Sequence, residues 1–360
     1  MASIYKRGKV WAAAVSYKTN DKYTRKVKSG FSTKTEAQKW AISIEEQKNR
    51  GGLSNDNLLF VDEYIKWYEV FKEPKLSWQS KNWFKICIRL ITEEWGNKKI
   101  NQVKASDFQK LINTYSKGHV KSSVVRIKTM ISAFVRYAVD EDLIHKDFTR
   151  NVHVIAGKQS KPVDTKFLEN DEIDRLIKRS KESRSVSSLM ILTGIYTGLR
   201  YAEIAGLTND DIDLDNNIIH VTKSWDTVEH QFKTTKTENS VRDVSIPSDL
   251  HDIFSQMTYG DRFVFQTRNG FPPSNNTCNT MLSIFLKKDN SKIVTMHGLR
   301  HSHASYLISN DVSVHYVSER LGHANVNITL GIYSHLLEEK READNSKTLD
   351  LLNSLNNTKP

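Results

Sequence analysis

The sequence predicts a multidomain α+β protein: a small sheet-plus-helix module, then an all-helical stretch, then a mainly helical region carrying a small β-sheet. Three observations lead there. Strand-like runs occur near residues 10–28 and again near 217–246, whereas elsewhere apolar residues recur at helical spacing. Two stretches, 51–56 (Gly-Gly-Leu-Ser-Asn-Asp) and 156–165 (Ala-Gly-Lys-Gln-Ser-Lys-Pro-Val-Asp-Thr), have linker composition. The length of 360 residues suits two or three domains at roughly 150 residues each.

In chain order, residues 10–17 (Val-Trp-Ala-Ala-Ala-Val-Ser-Tyr) read as a strand. Thr19-Asn20-Asp21 is turn chemistry, and 23–28 is a return strand bearing Arg25, Lys26 and Lys28. Thr33 and Glu36 fit a capping box ahead of a helix with Ala37, Trp40, Ala41 and Ile44 on one stripe. Beyond the first linker, Phe60, Tyr64, Trp67 and Phe71 recur at helical spacing, and a second helix runs from Trp78 to Trp95 before Gly96. Ser106 and Gln109 form another capping-box candidate, leading into Phe108, Leu111, Ile112 and Tyr115. Val124, Ile127, Ile131, Phe134 and Ala138 form a stripe opposite Lys121, Arg126, Lys128 and Arg136. The aromatic stripes read as core and the basic faces as the surfaces for an anionic partner. In the rear region, Asn170 with Asp171 and Glu172 starts a helix, and 187–197 is a mostly apolar helix ended by Gly198. Strands are expected at 217–222 and 241–246 around a polar, lysine-bearing segment, with Pro247 closing the second. The remainder reads as helical, with turns at Asn310-Asp311 and Gly322.

Lys and Arg number 53 against 42 Asp and Glu, a net charge of +11. The excess is uneven: net +8 over residues 1–52, +7 over 53–163 and −4 over 164–360. That asymmetry suggests front modules that grip a polyanion, nucleic acid above all, and a rear module with another task. A solvated lysine-rich surface is the plainer reading. No apolar run approaches the roughly 18 residues of a membrane span, and the amino terminus lacks the apolar core of a secretion signal. Cys87 and Cys278 are the only cysteines, too few for a disulfide framework or a four-cysteine zinc site. The expectation is a cytoplasmic, DNA-associated protein with no membrane partner.

Four segments of the rear region carry chemistry. In Thr197-Gly-Leu-Arg200, followed by Glu203, glycine before arginine suits a helix stop that presents the guanidinium. Alone, Arg200 also fits a surface arginine paired with Glu203 or with Asp210, Asp211 and Asp213. The segment 234–242, Thr-Thr-Lys-Thr-Glu-Asn-Ser-Val-Arg, reads as a β-hairpin whose Lys236 sits on the turn, where it would reach a substrate as a proton donor. Alone, Lys236 equally fits a solvated lysine, and Lys233 competes with it. In His297-Gly-Leu-Arg300-His301-Ser-His303, helical spacing puts His297 and Arg300 on one face. A zinc site is not expected, because the zincin pattern needs His-Glu-x-x-His and position 298 is glycine. The last segment is Leu321-Gly-His323 with Gly331-Ile-Tyr333-Ser-His335.

Together these supply two arginines, a lysine, two histidines and a tyrosine. Two guanidiniums clamp the nonbridging oxygens of a phosphodiester and stabilise its pentacoordinate transition state. Tyrosine, with an ordinary pKa of about 10, needs a proton acceptor or a cationic surrounding to act as a nucleophile. Histidine suits proton transfer near neutral pH, and lysine can protonate a departing oxygen. The scheme calls for no metal, nucleotide or other cofactor.

The set resembles the tyrosine recombinase family, specifically phage and integrative-element integrases. Thr-Gly-Leu-Arg200 with Glu203, Thr-Lys236-Thr-x-x-Ser-x-Arg, His297-x-Leu-Arg300-His-Ser-His-Ala-Ser, Leu-Gly-His323 and Tyr333 stand in family order over about residues 165–345. The resemblance implies a site-specific DNA recombinase that integrates and excises a mobile element through a 3′-phosphotyrosyl intermediate. Arg200 and Arg300 would bind the scissile phosphate, Tyr333 attack it, Lys236 protonate the 5′-oxygen, His297 assist proton transfer and His323 hydrogen-bond the phosphate, with Glu203 in support. It also implies a three-stranded arm-type DNA-binding module at 1–52, a helical core-site DNA-binding domain at 56–155 and a catalytic domain with a C-terminal tail at 165–360. The partners implied are double-stranded DNA at core and arm sites, a homotetramer on that DNA, and a directionality factor or host DNA-bending protein. Leu349, Leu352 and Leu355 would dock the tail on a neighbour, or else fold back on their own subunit. Two departures stand out: Thr235 where many relatives have Pro, and Ser302 where many have Thr. A type IB topoisomerase or a catalytically dead DNA-binding protein are the alternatives.

Overall fold

The computed structural model describes residues 2–19, 22–49, 58–155, 157–159, 167–234 and 240–355. The chain falls into two compact units, residues 1–160 and 161–360.

The first unit opens with an antiparallel three-stranded sheet, β1 (Ala2–Arg7), β2 (Val10–Thr19) and β3 (Lys22–Phe31), in that order. β1 is the strand that only the resemblance implied. Ala13 and Val15 of the central strand point to one face, where Ala37, Ala41 and Ile44 of α1 (Lys34–Asn49) cover them. The capping box is formed: Glu36 N–H donates to Thr33 Oγ1 at 3.2 Å and Thr33 N–H to Glu36 Oε2 at 3.4 Å. Asn20 and Asp21 of the expected turn, the linker at 51–56 and most of that at 156–165 lie outside the described residues.

Four helices follow: α2 (Phe60–Trp67), α3 (Trp78–Trp95), α4 (Ala105–Ser116) and α5 (Lys121–Asp140). Phe60 is central, meeting Trp95 and Phe134 edge-on at 4.9 and 5.1 Å, a favourable aromatic geometry. The expected stripe of α5 is buried in full. Two expectations fail here. A π turn, Tyr68–Lys72, follows α2, and its wider winding takes Phe71 off the stripe; Phe71 is 52% exposed, its ring 5.1 Å from Tyr137. Ser106 and Gln109 do not cap α4: Asp107 does, accepting from Lys104 N–H at 2.9 Å, while Gln109 bonds Asn113 and His153. Of the basic face, Lys121, Arg126 and Arg136 are exposed and Lys128 is half-buried. Arg126 lies over the Trp83 ring, and the Lys128 ammonium donates to the Val152 carbonyl.

The second unit packs α6 (Asn170–Ser183), α7 (Val186–Thr197), α10 (Asn275–Lys288) and α11 (Met296–Ser309) around one apolar core. α8 (Tyr201–Ala205) and α9 (Ser248–Gln256) are short. β5 (Ile218–Val221) pairs with β4 (Ile212–Asp213) and β8 (Arg242–Ser245), with Ile219 opposite Val244. β6 (Lys223–Asp226) and β7 (Gln231–Thr234) form a separate hairpin. This corrects the expected hairpin at 234–242: Arg242 belongs to a strand paired with β5, whereas Thr234 belongs to one paired with β6. Trp225 in β6 explains the difference, since its burial against Phe232 and Phe263 folds β6 and β7 on each other. α12 (Val314–Leu321) ends at Gly322, with φ of 66°. α13 (Val326–Leu355) is interrupted at Tyr333, with φ −111° and ψ 16°. Leu349 and Leu352 are exposed; the side chain of Leu355 lies outside the described residues. Among the described residues no helix is long and apolar enough to cross a membrane.

Candidate active site

The site begins where α7 stops. Gly198 takes the left-handed conformation, φ 69°, and its N–H closes on the Gly194 carbonyl at 3.0 Å. The chain then places Arg200 at the N-cap of α8, in extended backbone, and Glu203, one turn on, reaches back. Its Oε2 accepts from the Arg200 N–H at 2.9 Å and its Oε1 from Arg200 Nη1 at 2.6 Å. Arg242, at the start of β8, approaches from the other side, donating Nη2 to Glu203 Oε2 at 3.0 Å and Nε to the Arg320 carbonyl at 2.6 Å. Glu203 is 4% exposed. Burial alone would raise its pKa, but Arg242 and Arg200 outweigh that and hold it below the usual carboxylate value. One buried carboxylate thus orients two guanidiniums, and the plainer pairing of Arg200 with Glu203 is part of the arrangement.

α11 starts at Thr295, whose Oγ1 accepts from Gly298 N–H at 3.3 Å. One turn inside it, Arg300 is 2% exposed. Its Nη1 donates to the Gly198 carbonyl at 3.0 Å, and its Nη2 is buried with no hydrogen-bond partner among the described residues. Burial, with Arg200 and Arg242 nearby, pushes its pKa down to about 9, which leaves it cationic at neutral pH. The Ser302 hydroxyl donates to Gly298 O at 3.0 Å and accepts from Leu168 N–H at 2.9 Å.

His297 is exposed as a residue, yet desolvation, then Arg300 and Arg200, lower its pKa. His323 follows Gly322, its Nδ1 2.7 Å from Thr329 Oγ1. Burial, then Arg300 and Arg200, take it down to about 4, so it is neutral at pH 7. Tyr333 is 1% exposed, among Ala304, Ile308, Val317 and Leu321. Burial raises its pKa and Arg300 opposes that rise. Arg200, Arg300, His297, His323 and Tyr333 therefore share one electrostatic neighbourhood. Lys236 and Thr235 lie outside the described residues.

Two side chains enter this site without having been singled out in the sequence. Arg242 shares Glu203 with Arg200, and His301 places Nδ1 2.9 Å from Tyr333 Oη. A signal existed for His301: it stands four residues after His297, on the same helical face, and their rings meet edge-on at 4.9 Å. His303, by contrast, is structural, with Nδ1 at the Ile195 carbonyl (2.9 Å) and Nε2 accepting from Arg320 Nε (3.1 Å). Among the described residues no group of three or more His, Cys, Asp or Glu could hold a metal ion.

Clustered guanidiniums with one carboxylate between them leave excess positive charge beside a phenol, the setting that phosphoryl transfer to a tyrosine requires. Residues 166–340 match the phage integrase family, and residues 3–48 match an Arm DNA-binding domain. A XerC-like tyrosine recombinase of Caldanaerobacter subterraneus subsp. tengcongensis is 27% identical over 288 residues, 71% of this chain and 72% of that protein. The ICEBs1 integrase of Bacillus subtilis is 28% identical over 271 residues, with 71% and 72% covered. The fold is that of the Tn1549 transposon integrase solved with transposon right-end DNA: TM-score 0.67, 20% identity, 81% of this chain and 99% of that chain covered. The protein is a site-specific DNA recombinase that works through tyrosine. Its residues 166–340 belong to the phage integrase family, and the relatives it matches are tyrosine recombinases and integrases.

Proposed function

We propose that Arg200 and Arg300 bind the scissile phosphate while Tyr333 attacks it, forming a 3′-phosphotyrosyl bond and releasing the 5′-oxygen. Lys236 protonates that oxygen, His297 assists proton transfer and His323 donates a hydrogen bond to a nonbridging oxygen. The observation that carries this reading is Arg300, a buried cation whose Nη2 has no partner among the described residues. A nonbridging phosphate oxygen would satisfy it, and burial strengthens the attraction. His323 supports its role too, since with Nδ1 at Thr329 the neutral ring has Nε2 left for an oxyanion.

Lys233 fits the acid role poorly. Asp226 and Glu229 hold its ammonium at 2.6 and 2.8 Å, and the hydrogen bond to Asp226, then that to Glu229, raises its pKa. The commitment of Lys233 supports Lys236 for the role.

In the same reading residues 1–52 bind arm sites, 56–155 bind the core site and 165–360 perform catalysis. The match of residues 3–48 to an Arm DNA-binding domain supports the first, and favours a recombinase over a topoisomerase, which needs no second DNA address. Four copies assemble on two core sites, with exposed Leu349 and Leu352 offering apolar contact to a neighbour, and a directionality factor or DNA-bending protein chooses integration or excision. The test is Tyr333→Phe. DNA binding should persist, and the covalent adduct seen on a denaturing gel should vanish. An adduct surviving in this variant would refute the nucleophile assignment. Sequencing DNA trapped on the wild-type protein maps the site.

A further inference from the structure

Tyr333 is held by an imidazole outside the six residues just assigned. His301 Nδ1 lies 2.9 Å from Tyr333 Oη, with the ring centroids 6.1 Å apart. The rest of the phenol is wrapped in the apolar side chains of α11 and α12. A neutral phenol is a weak nucleophile, and a phenolate formed in advance in such surroundings is expensive. The proton must therefore leave as the oxygen attacks, to an acceptor already in hydrogen-bond contact. His297 is one helical turn away and exposed, and among the described residues no hydrogen bond joins it to Tyr333.

We propose that His301 is the catalytic proton acceptor for Tyr333, its Nδ1 taking the phenolic proton as Oη attacks phosphorus. The inference rests on Tyr333 being the nucleophile. The Tyr333 O–H bond breaks and an Nδ1–H bond forms. The Oη–P bond forms as the P–O5′ bond breaks, and the 5′-oxygen takes its proton from Lys236. On rejoining, the 5′-hydroxyl attacks phosphorus and gives its proton back to Lys236, the Oη–P bond breaks, and His301 returns its proton to the departing phenolic oxygen. His301 thus serves both strand cleavage and strand joining.

The experiment measures adduct formation by the full chain on a nicked duplex carrying the site mapped by sequencing trapped DNA. His301→Asn keeps an amide oxygen near Oη but cannot accept the proton, and should slow cleavage about 100-fold, the usual worth of a positioned base. Its DNA affinity and melting temperature should stay those of the wild type. Installing at 333 a fluorinated tyrosine, whose hydroxyl is more acidic, should shrink the His301→Asn penalty to a few-fold, which a purely structural role would leave unchanged. Should the Asn protein fail to fold, His301→Ala with added imidazole replaces it, with restored cleavage expected. Cleavage by His301→Asn within threefold of wild type overturns the proposal, as does an equal penalty with either phenol, or no rescue of a folded Ala variant. Tyr333→Phe run alongside separates the two readings: an adduct there removes the nucleophile itself, whereas a dead Phe variant beside a fast Asn variant removes only His301.

Discussion

Arg242 and Glu203 are locked together, Nη2 to Oε2 at 3.0 Å, across 39 residues of sequence. Because the same carboxylate holds Arg200, it balances two cations that would otherwise repel each other and Arg300. Glu203→Gln removes that charge and leaves buried Arg242 uncompensated. Loss of one partner of a buried pair costs about 3–5 kcal/mol. The expectation is a urea midpoint lowered accordingly, with slower cleavage because Arg200 is released. A Gln variant of wild-type stability would show that Glu203 does not carry this load.

Gly198 does two things at once: its φ of 69° ends α7, and its carbonyl takes Arg300 Nη1. A Cβ there would lie 2.7 Å from both His303 Cδ2 and Leu321 Cδ2. Gly198→Ala should destabilise the protein by about 1–3 kcal/mol, from the left-handed backbone and the clash. Cleavage should fall further than stability explains, because the Arg300 acceptor moves. Measuring both in one preparation separates the effects.

Acid should destabilise the fold through two imidazoles, buried His303 and half-buried His323. Burial, then Arg320, pushes His303 down to about 3, and burial, then Arg300 and Arg200, takes His323 to about 4. Both sit near 6.5 when unfolded, so between those values the unfolded chain binds more protons and stability rises with pH. Their contribution is complete above about pH 6.5 and is lost as pH falls toward 4 and then 3. Urea unfolding from about pH 7 to 4 should follow this fall, and His323→Gln should make it shallower. A pH-independent midpoint would contradict the assignment.

Lys236→Ala should be rescued by a substrate with sulfur at the 5′-leaving position, because a thiolate departs without a proton. Lys233→Ala should cleave at close to the wild-type rate, its ammonium being committed to Asp226 and Glu229. Sulfur rescue of the Lys233 variant would transfer the acid role to it.

Deleting residues 1–52 removes a net charge of +8. Core-site cleavage should survive while recombination weakens, and the slope of log affinity against log salt should flatten as fewer counterions are released. Unchanged recombination would end the arm-binding assignment.

Local chemistry carried much of this protein. The α3 helix ends before Gly96, α7 before Gly198 and α12 before Gly322, as spacing and glycine foretold, because caps and stripes are settled by neighbours a few residues away. The order of the motifs likewise named the family. Packing decided the rest. The π turn that exposes Phe71 and the two hairpin strands closed over Trp225 each depend on which contacts a neighbouring element offers. So do the pairs that shape the site: His301 meets Tyr333 across 32 residues, Arg242 meets Glu203 across 39, and Arg300 meets Gly198 across 102. Only the burial of several helices against one another fixes which cation has a carboxylate, which has only a carbonyl, and which imidazole touches the phenol.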